Sequence, residues 1–322
     1  MASQKLFVGS YAPHWHDGSS LRERHLHIML ACLPAVILGI AQYGIPAFRV
    51  VLFSVSCAML WELLMNKAMS RPVTIGDGNA ALIGMVFAML LPATTPWWMV
   101  VVGTFVAIVI GKQIWGGMGC NPCNPVLVAV AILMLSWHDR LDFNAALVNY
   151  DFGFTVEHPL TALKYLGPSV VDNYNFSDLF LGQQVGGIGT AFALGLILGG
   201  VYLILRGFVR WEISLSFLLG LVITASIFHG ANPEKYAGPL FHVLTGYTLI
   251  ATFFLLPEES SSPVNFVPML LYGAMAGVLT VLIRNIGFFV DGVVFAVLLV
   301  NLANPLLDRI RPKAMGREIE HA

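Results

Sequence analysis

The sequence predicts an all-α integral membrane protein of about ten transmembrane helices, and three observations predict it. Charged residues make up only 11% of 322 positions, against roughly 25% in ordinary soluble domains. Apolar residues reach 57%, and the mean hydropathy is +0.77. Uncharged stretches of spanning length recur along the whole chain. One core cannot bury so many apolar side chains, so the remainder requires lipid as its solvent. The net charge of −1 offers no electrostatic footprint for a nucleic-acid partner. Four cysteines (Cys32, Cys57, Cys120, Cys123) are too few for a disulfide scaffold, and no cleavable signal peptide is visible.

In lipid, backbone polar groups must pair within the helix, so a span needs about 20 mostly apolar residues. Taken in order, the first helix falls near 26–45 and the second near 48–68, the latter carrying Glu62. The stretch 78–111 has no charge and is too long for one helix. Pro92 and Pro96 flank a Thr-Thr turn there, which predicts a hairpin of two helices. A short fifth span lies near 126–137, and others near 186–206, 212–230, 237–257, 264–284 and 287–307. The chain thus divides into an N-terminal segment 1–25, a five-helix half 26–137, a loop 138–185, a second five-helix half 186–308 and a tail 309–322. Halves with an odd number of spans lie inverted relative to each other. The bias of Lys and Arg among short loops puts both termini in the cytoplasm and the acidic loop 138–185 outside.

The densest local signal is Gly111-Lys112-Gln113-Ile114-Trp115-Gly116-Gly117-Met118-Gly119-Cys120-Asn121-Pro122-Cys123-Asn124-Pro125. Two Asn-Pro steps among glycines cannot continue a helix. Irregular backbone at the membrane edge is tolerated where it packs in protein or lines a cavity. The Asn amides there can bind the polar edge of a ring system or an ion, or merely cap helices. Cys120 and Cys123 have the spacing of a redox dithiol, but without a second pair they read as two incidental thiols.

Ionisable groups inside apolar runs are costly and default to functional candidates. Glu62 and Asp291 are ion-path candidates on that basis, and Asp77, opening the third span, and Glu258, in a turn of adjacent carboxylates and hydroxyls that could bind a cation or a partner subunit, join them as ion-path candidates. Each has a structural alternative. Glu62 can snorkel toward Lys67. Asp77 and Asp291 can cap the helices that follow them. Glu258 can lie in a solvated turn. His229 and His242, near helix ends, are expected to find carbonyl partners.

The stretch GDGNAALIGMVFAMLLPATTPWWMVVVGTFVAIVIGKQIWGGMGCNPCNPVLVAVAILMLSW resembles the D-type subunits of the Rnf electron-transport complex. The paralogous B-type subunit of the Na⁺-translocating NADH:quinone reductase is more distantly similar. Segments near the start (APHWHDGSSLRERHLHIMLACLPAVILGI) and the end (LLYGAMAGVLTVLIRNIGFFVDGVVFAVLLVNLANPLLDRIRP) agree. The resemblance implies a subunit of a ferredoxin:NAD⁺ oxidoreductase that couples electron flow to Na⁺ or H⁺ movement in a prokaryotic cytoplasmic membrane. It further implies a flavin cofactor, FMN or riboflavin, and partnership with the other Rnf complex subunits. Asn121 and Asn124 match the family's flavin-proximal Asn pair. The family joins FMN through a phosphoester to a Thr in a Ser-x-Ala-Thr-Pro-Leu segment. The register set by Pro159-Leu160 puts His158 at that acceptor and Thr155 at the motif's Ser. An imidazole cannot carry a phosphoester of this kind, so non-covalent flavin is expected. The chain has no nicotinamide fingerprint and no cluster-ligand cysteine set, so it is not expected to be catalytic alone. A channel or scaffold subunit without its own redox cofactor is the alternative.

Overall fold

Ser20 opens the first helix by accepting the Glu23 N–H on its hydroxyl (3.1 Å), the cap expected of a Ser-x-x-Glu start. A computed structural model describes residues 20–147, 150 and 157–310. In it, α1 (Leu21–Tyr43) turns directly into α2 (Ile45–Ala68) at Gly44. Gly44 has a φ of 71°, open to glycine without strain, and Pro46 starts α2 where a missing N–H costs nothing. The hairpin follows as α3 (Asn79–Leu90) and α4 (Trp97–Phe105), α4 running on as a π-helical turn, Val106–Ile110. Thr95 closes the bend between them on the Pro92 carbonyl (2.6 Å). After the glycine and Asn-Pro segment comes α5 (Pro125–Ser136).

Short helices occupy the described part of the loop, among them α6 (Pro159–Leu166). The remaining helices are α7 (Ala193–Leu205), α8 (Trp211–Ala231), α9 (Pro239–Leu244), α10 (Thr248–Ile250, continuing as a π-helical turn, Ala251–Leu255), α11 (Phe266–Asn285) and α12 (Val293–Leu307). Among the described residues, five segments are long and apolar enough to cross a membrane: Leu21–Tyr43, Ile45–Ala68, Trp97–Trp115, Trp211–Ala231 and Phe266–Asn285. No strand occurs among the described residues. Leu30, Ile37, Leu60, Ile223, Ile227 and Leu302 are exposed while Glu62, Lys112 and Arg284 are buried. That distribution is the reverse of a water-soluble surface, and it marks an all-helical, multi-pass membrane protein.

Two expected spans are shorter than the apolar runs that suggested them. Helix does not begin at 186 but at Ala193. The preceding segment is non-helical and packs against the end of α3, Ile188 donating to the Leu91 carbonyl (3.0 Å) and Gly189 to that of Met89 (2.9 Å). Glycine is required there, since a Cβ on Gly187 would sit 2.6 Å from the Met89 oxygen. The run 237–257 breaks at Thr245-Gly246-Tyr247, between α9 and α10, where Gly246 has a φ of 67°.

Glycines also bring α8 and α11 together. A Cβ on Gly277 would lie 2.3 Å from the Phe217 carbonyl oxygen, and one on Gly273 would lie 2.5 Å from that of Ile213. Spaced four apart, they form the small-residue face by which helices approach in lipid. Gly277→Leu should force the pair apart and lower the yield of folded, monodisperse protein in detergent. An unchanged size-exclusion profile would contradict this packing.

Candidate functional site

Charged and amide side chains gather in two pockets at opposite ends of α5. Asn124 and Pro125, where α5 begins, line the first, and Met134 and His138, at its other end, line the second.

The first pocket opens to the surface, and its roughly 830 Å³ of empty space includes open solvent. Its apolar wall is Leu82, Ile83 and Val86 of α3 with Phe208, Phe253 and Phe254. Glycines make its loop possible: Gly116, Gly117 and Gly119 take φ of 128°, 105° and 88°. The loop then brings Asn121 to Glu258, 137 residues away, with Nδ2 donating to both carboxylate oxygens (3.1 and 3.3 Å). Ser261 donates to Glu258 Oε2 from its N–H (3.1 Å) and its hydroxyl (2.5 Å). Burial pushes the Glu258 carboxyl above the usual range, although these hydrogen bonds oppose the shift. Asn124 does two jobs. Its Oδ1 caps α5 at Val126 (2.9 Å) and Leu127 (3.3 Å), and its Nδ2 reaches the Leu255 carbonyl (2.9 Å).

Asp77 caps α3 through the Asn79 N–H (2.8 Å). His25 Nδ1 donates to the Asp77 carbonyl (2.8 Å), which leaves Nε2 to accept from Asn79 Nδ2 (3.3 Å). Asn79 also lines the pocket, and its Oδ1 is buried without a partner among the described residues. Lys112 forms part of the pocket wall and pairs with Glu62 (2.9 Å). Glu62 therefore does not reach toward Lys67. It is fully buried and also accepts from the Thr74 hydroxyl (2.7 Å). Arg24 and Glu259 form an ion pair at the rim. Cys120 and Cys123 are free thiols beside this loop.

The second pocket is lined by His158, Asp291, Phe143, Tyr247 and Phe289. His158 stacks on Phe143 at 5.1 Å and caps α6, its Nδ1 accepting from the Thr161 N–H (3.4 Å). Burial drives its pKa down to about 4 despite Asp291 and Asp142 nearby, and Arg284 adds to the lowering. The ring is a neutral structural cap. Thr155 lies outside the described residues. Asp291 caps α12 at Val293 (3.1 Å), accepts the Tyr247 N–H (2.7 Å) and pairs with Arg284 (2.9 Å).

The structure therefore joins Asn121, Asn124 and Glu258 in one pocket, with Asp77 and Glu62 one residue removed from its wall, and puts His158 and Asp291 in the other. Sequence reasoning missed Lys112, Arg284, His25 and Asn79. For the two cations a signal existed, because an acid buried in an apolar run requires a cation to pair with.

A family model described as the NQR2, RnfD, RnfE family matches residues 8–316. The chain belongs to that family. It is 31% identical over 316 residues to the D-type subunit of the proton-translocating ferredoxin:NAD(+) oxidoreductase complex of Clostridium ljungdahlii, covering 95% of each chain. It is 32% identical over 336 residues to the D-type subunit of the ion-translocating oxidoreductase complex of Halorhodospira halophila, covering 95% of this chain and 94% of that one. The corresponding subunit of Pectobacterium carotovorum is 31% identical over 344 residues, at 95% and 97% coverage. Membership of this family fits what the fold displays: apolar faces turned outward and acids paired with cations inside.

Proposed function

We propose that this protein is the membrane subunit of a redox-driven, ion-translocating complex of the ferredoxin:NAD⁺ oxidoreductase type, and that it passes electrons through a flavin held without a covalent bond in the first pocket. The observation that carries this reading is the convergence of Asn121, Glu258 and the unpartnered Asn79 Oδ1 on an aromatic-walled cavity. Apolar walls with a few fixed polar groups are the usual form of cofactor sites. Asn79 and Asn121 suit the polar edge of an isoalloxazine ring, and Phe208, Phe253 and Phe254 suit its faces. Bound there, a flavin supplies electron transfer.

The chain's own residues do the rest. The Glu258 carboxyl, raised by burial, is placed to take up a proton when negative charge enters the pocket. The Lys112 ammonium pairs with the Glu62 carboxylate in the interior (2.9 Å). Glu62, Asp77, Glu258 and Asp291 are the candidate stations for the ion. The second pocket does not fit covalent FMN, because an imidazole capping α6 stands where a phosphoester would need a hydroxyl. That feature favours the scaffold reading for the outer end of the protein.

The ten-span arrangement in two inverted halves belongs to the same proposal. Two parallels support it. Lys112 follows α4 and Asn124 caps α5, as Arg284 ends α11 and Asp291 caps α12. Both termini then face the cytoplasm, the first pocket opens on that side, and partner chains of the complex dock there.

Acid extraction of the purified complex should release flavin from this protein. Asn121→Leu should reduce the occupancy at limiting flavin by roughly tenfold, the loss of about one hydrogen bond. A wild-type complex whose D-type subunit holds no flavin, or an Asn121→Leu variant that holds as much, would defeat the assignment.

A further inference from the structure

The pattern Asn-x-x-Asn-Pro occurs twice in the chain, at 121–125 and again at 301–305. The first opens α5, with Pro125 at its start, and the second lies in the last turns of α12, which contains Pro305. Both reach the same turn, 255–261. Asn121 donates to the Glu258 carboxylate and Asn124 to the Leu255 carbonyl. From α12, Asn304 Nδ2 donates to the Ser261 carbonyl (3.1 Å). Asn301 lies three residues back on the same helix face and turns to α11, its Oδ1 accepting from the Tyr272 hydroxyl (2.5 Å).

No helix fixes the turn from within. The Ser262 N–H closes it on the Glu258 carbonyl (3.1 Å). Ser261 nevertheless directs two donors, its N–H and its hydroxyl, at one oxygen, Glu258 Oε2. That geometry lasts only while the Ser261 backbone keeps one orientation, and Asn304 ties this backbone to α12. The tie costs stability. Asn304 Oδ1 and Asn301 Nδ2 are buried without a partner among the described residues, and an unsatisfied buried amide costs more than a leucine of similar size would. Departures of this kind from a fully satisfied core gather at functional sites.

We propose that Asn304 is a positioning residue for Glu258: it holds the Ser261 carbonyl so that both Ser261 donors stay on the carboxylate that takes up a proton beside the cofactor pocket. The inference rests on the reading of Glu258 as the proton acceptor of the first pocket, and it adds the residue that tunes that acceptor. In the uptake, a proton from water adds to a carboxylate oxygen and gives the neutral acid. No other bond forms or breaks, and the charge gained offsets that of one electron arriving in the pocket. The Ser261 hydrogen bonds favour the charged form and so lower the pH of uptake, against burial, which raises it. Loosening Ser261 therefore moves uptake to higher pH. The other ionisable groups around this carboxyl are Cys123 of the glycine loop and Tyr272 of α11. The pocket also holds His25 on the Asp77 carbonyl, Lys112 paired with Glu62, and Arg24 paired with Glu259.

The test reads the protonation of Glu258 itself. Infrared spectra of the purified complex are taken across a pH series, each as the difference from the same protein carrying Glu258→Gln, so that the remaining carboxylic-acid band is that of Glu258. Asn304→Leu should move the midpoint of this band upward by about one pH unit, a tenfold change in proton affinity, the effect of weakened hydrogen bonds to a charged group. Ser261→Ala should move it in the same direction, and the double variant by less than the two single shifts together, since both act through one residue. A merely structural Asn304 would lower the melting temperature and leave the midpoint in place, and that result overturns the proposal. Full additivity with Ser261→Ala overturns it too. Where Asn304→Leu does not fold, Ser261→Ala decides, because an unmoved midpoint there means that the Ser261 donors do not hold the carboxylate. Flavin released from the same sample judges the wider reading separately: its absence defeats the cofactor assignment whatever the band does.

Discussion

Lys112→Met should destabilise the protein by about 3–5 kcal/mol, the cost of stranding a buried charge without its partner. Glu62 and Lys112 are 0% and 2% exposed, so solvent cannot replace the lost ammonium. Glu62 Oε2 already lacks a hydrogen-bond partner among the described residues, and the Thr74 hydroxyl alone (2.7 Å) cannot hold a carboxylate charge. The double variant Lys112→Met, Glu62→Gln removes both charges and should recover most of the loss, a coupling that a double-mutant cycle reads directly. Thermal unfolding in detergent measures both. Equal melting temperatures for the single and double variants would show that the pair is not the unit described.

Denaturing gels of the purified protein should be dark under flavin excitation, and its intact mass should equal that of the polypeptide. A phosphoester-linked FMN would add about 438 Da. The reason is local. Position 158 must cap α6, and here an imidazole does so while stacked on Phe143. His158→Thr supplies a hydroxyl and remains an adequate cap, so α6 should survive the change, as a proteolysis pattern at 157–181 can report. A fluorescent wild-type band would refute the non-covalent reading.

The helical, lipid-embedded character of the chain is legible in the sequence because composition and apolar run length report on solvent directly. So is the role of Asp77, whose Gly-Asp-Gly-Asn setting is a cap in sequence as in structure. What escapes a linear reading is partnership across the chain. Lys67 is the near cation for Glu62, five residues on, but the true partner is Lys112, which the α4 turn delivers from 50 residues away. Asn121 and Glu258 stand apart in the sequence because nothing local says that a glycine loop will fold onto a distant Glu-Glu-Ser turn. The absence of helix at 186–192 is hidden for a different reason. Hydropathy registers an apolar stretch whether it is helical or not, and only the glycines hint that another backbone lies against it. His242 shows the limit most clearly: the expectation of a carbonyl partner holds for His229 but not, among the described residues, for it.

The non-helical 186–189 segment has a consequence for how the molecule can move. It caps the exposed carbonyls of Met89 and Leu91, while the Tyr247 hydroxyl caps Leu90 (2.9 Å) and Asn124 caps Leu255 (2.9 Å). Every one of these bonds joins an early part of the chain to a late one. Sliding the two parts past each other would strip main-chain oxygens bare in a medium without water to cover them. The seam therefore behaves as a weld, and any gate must be small: a side chain that swings or a charge that comes and goes.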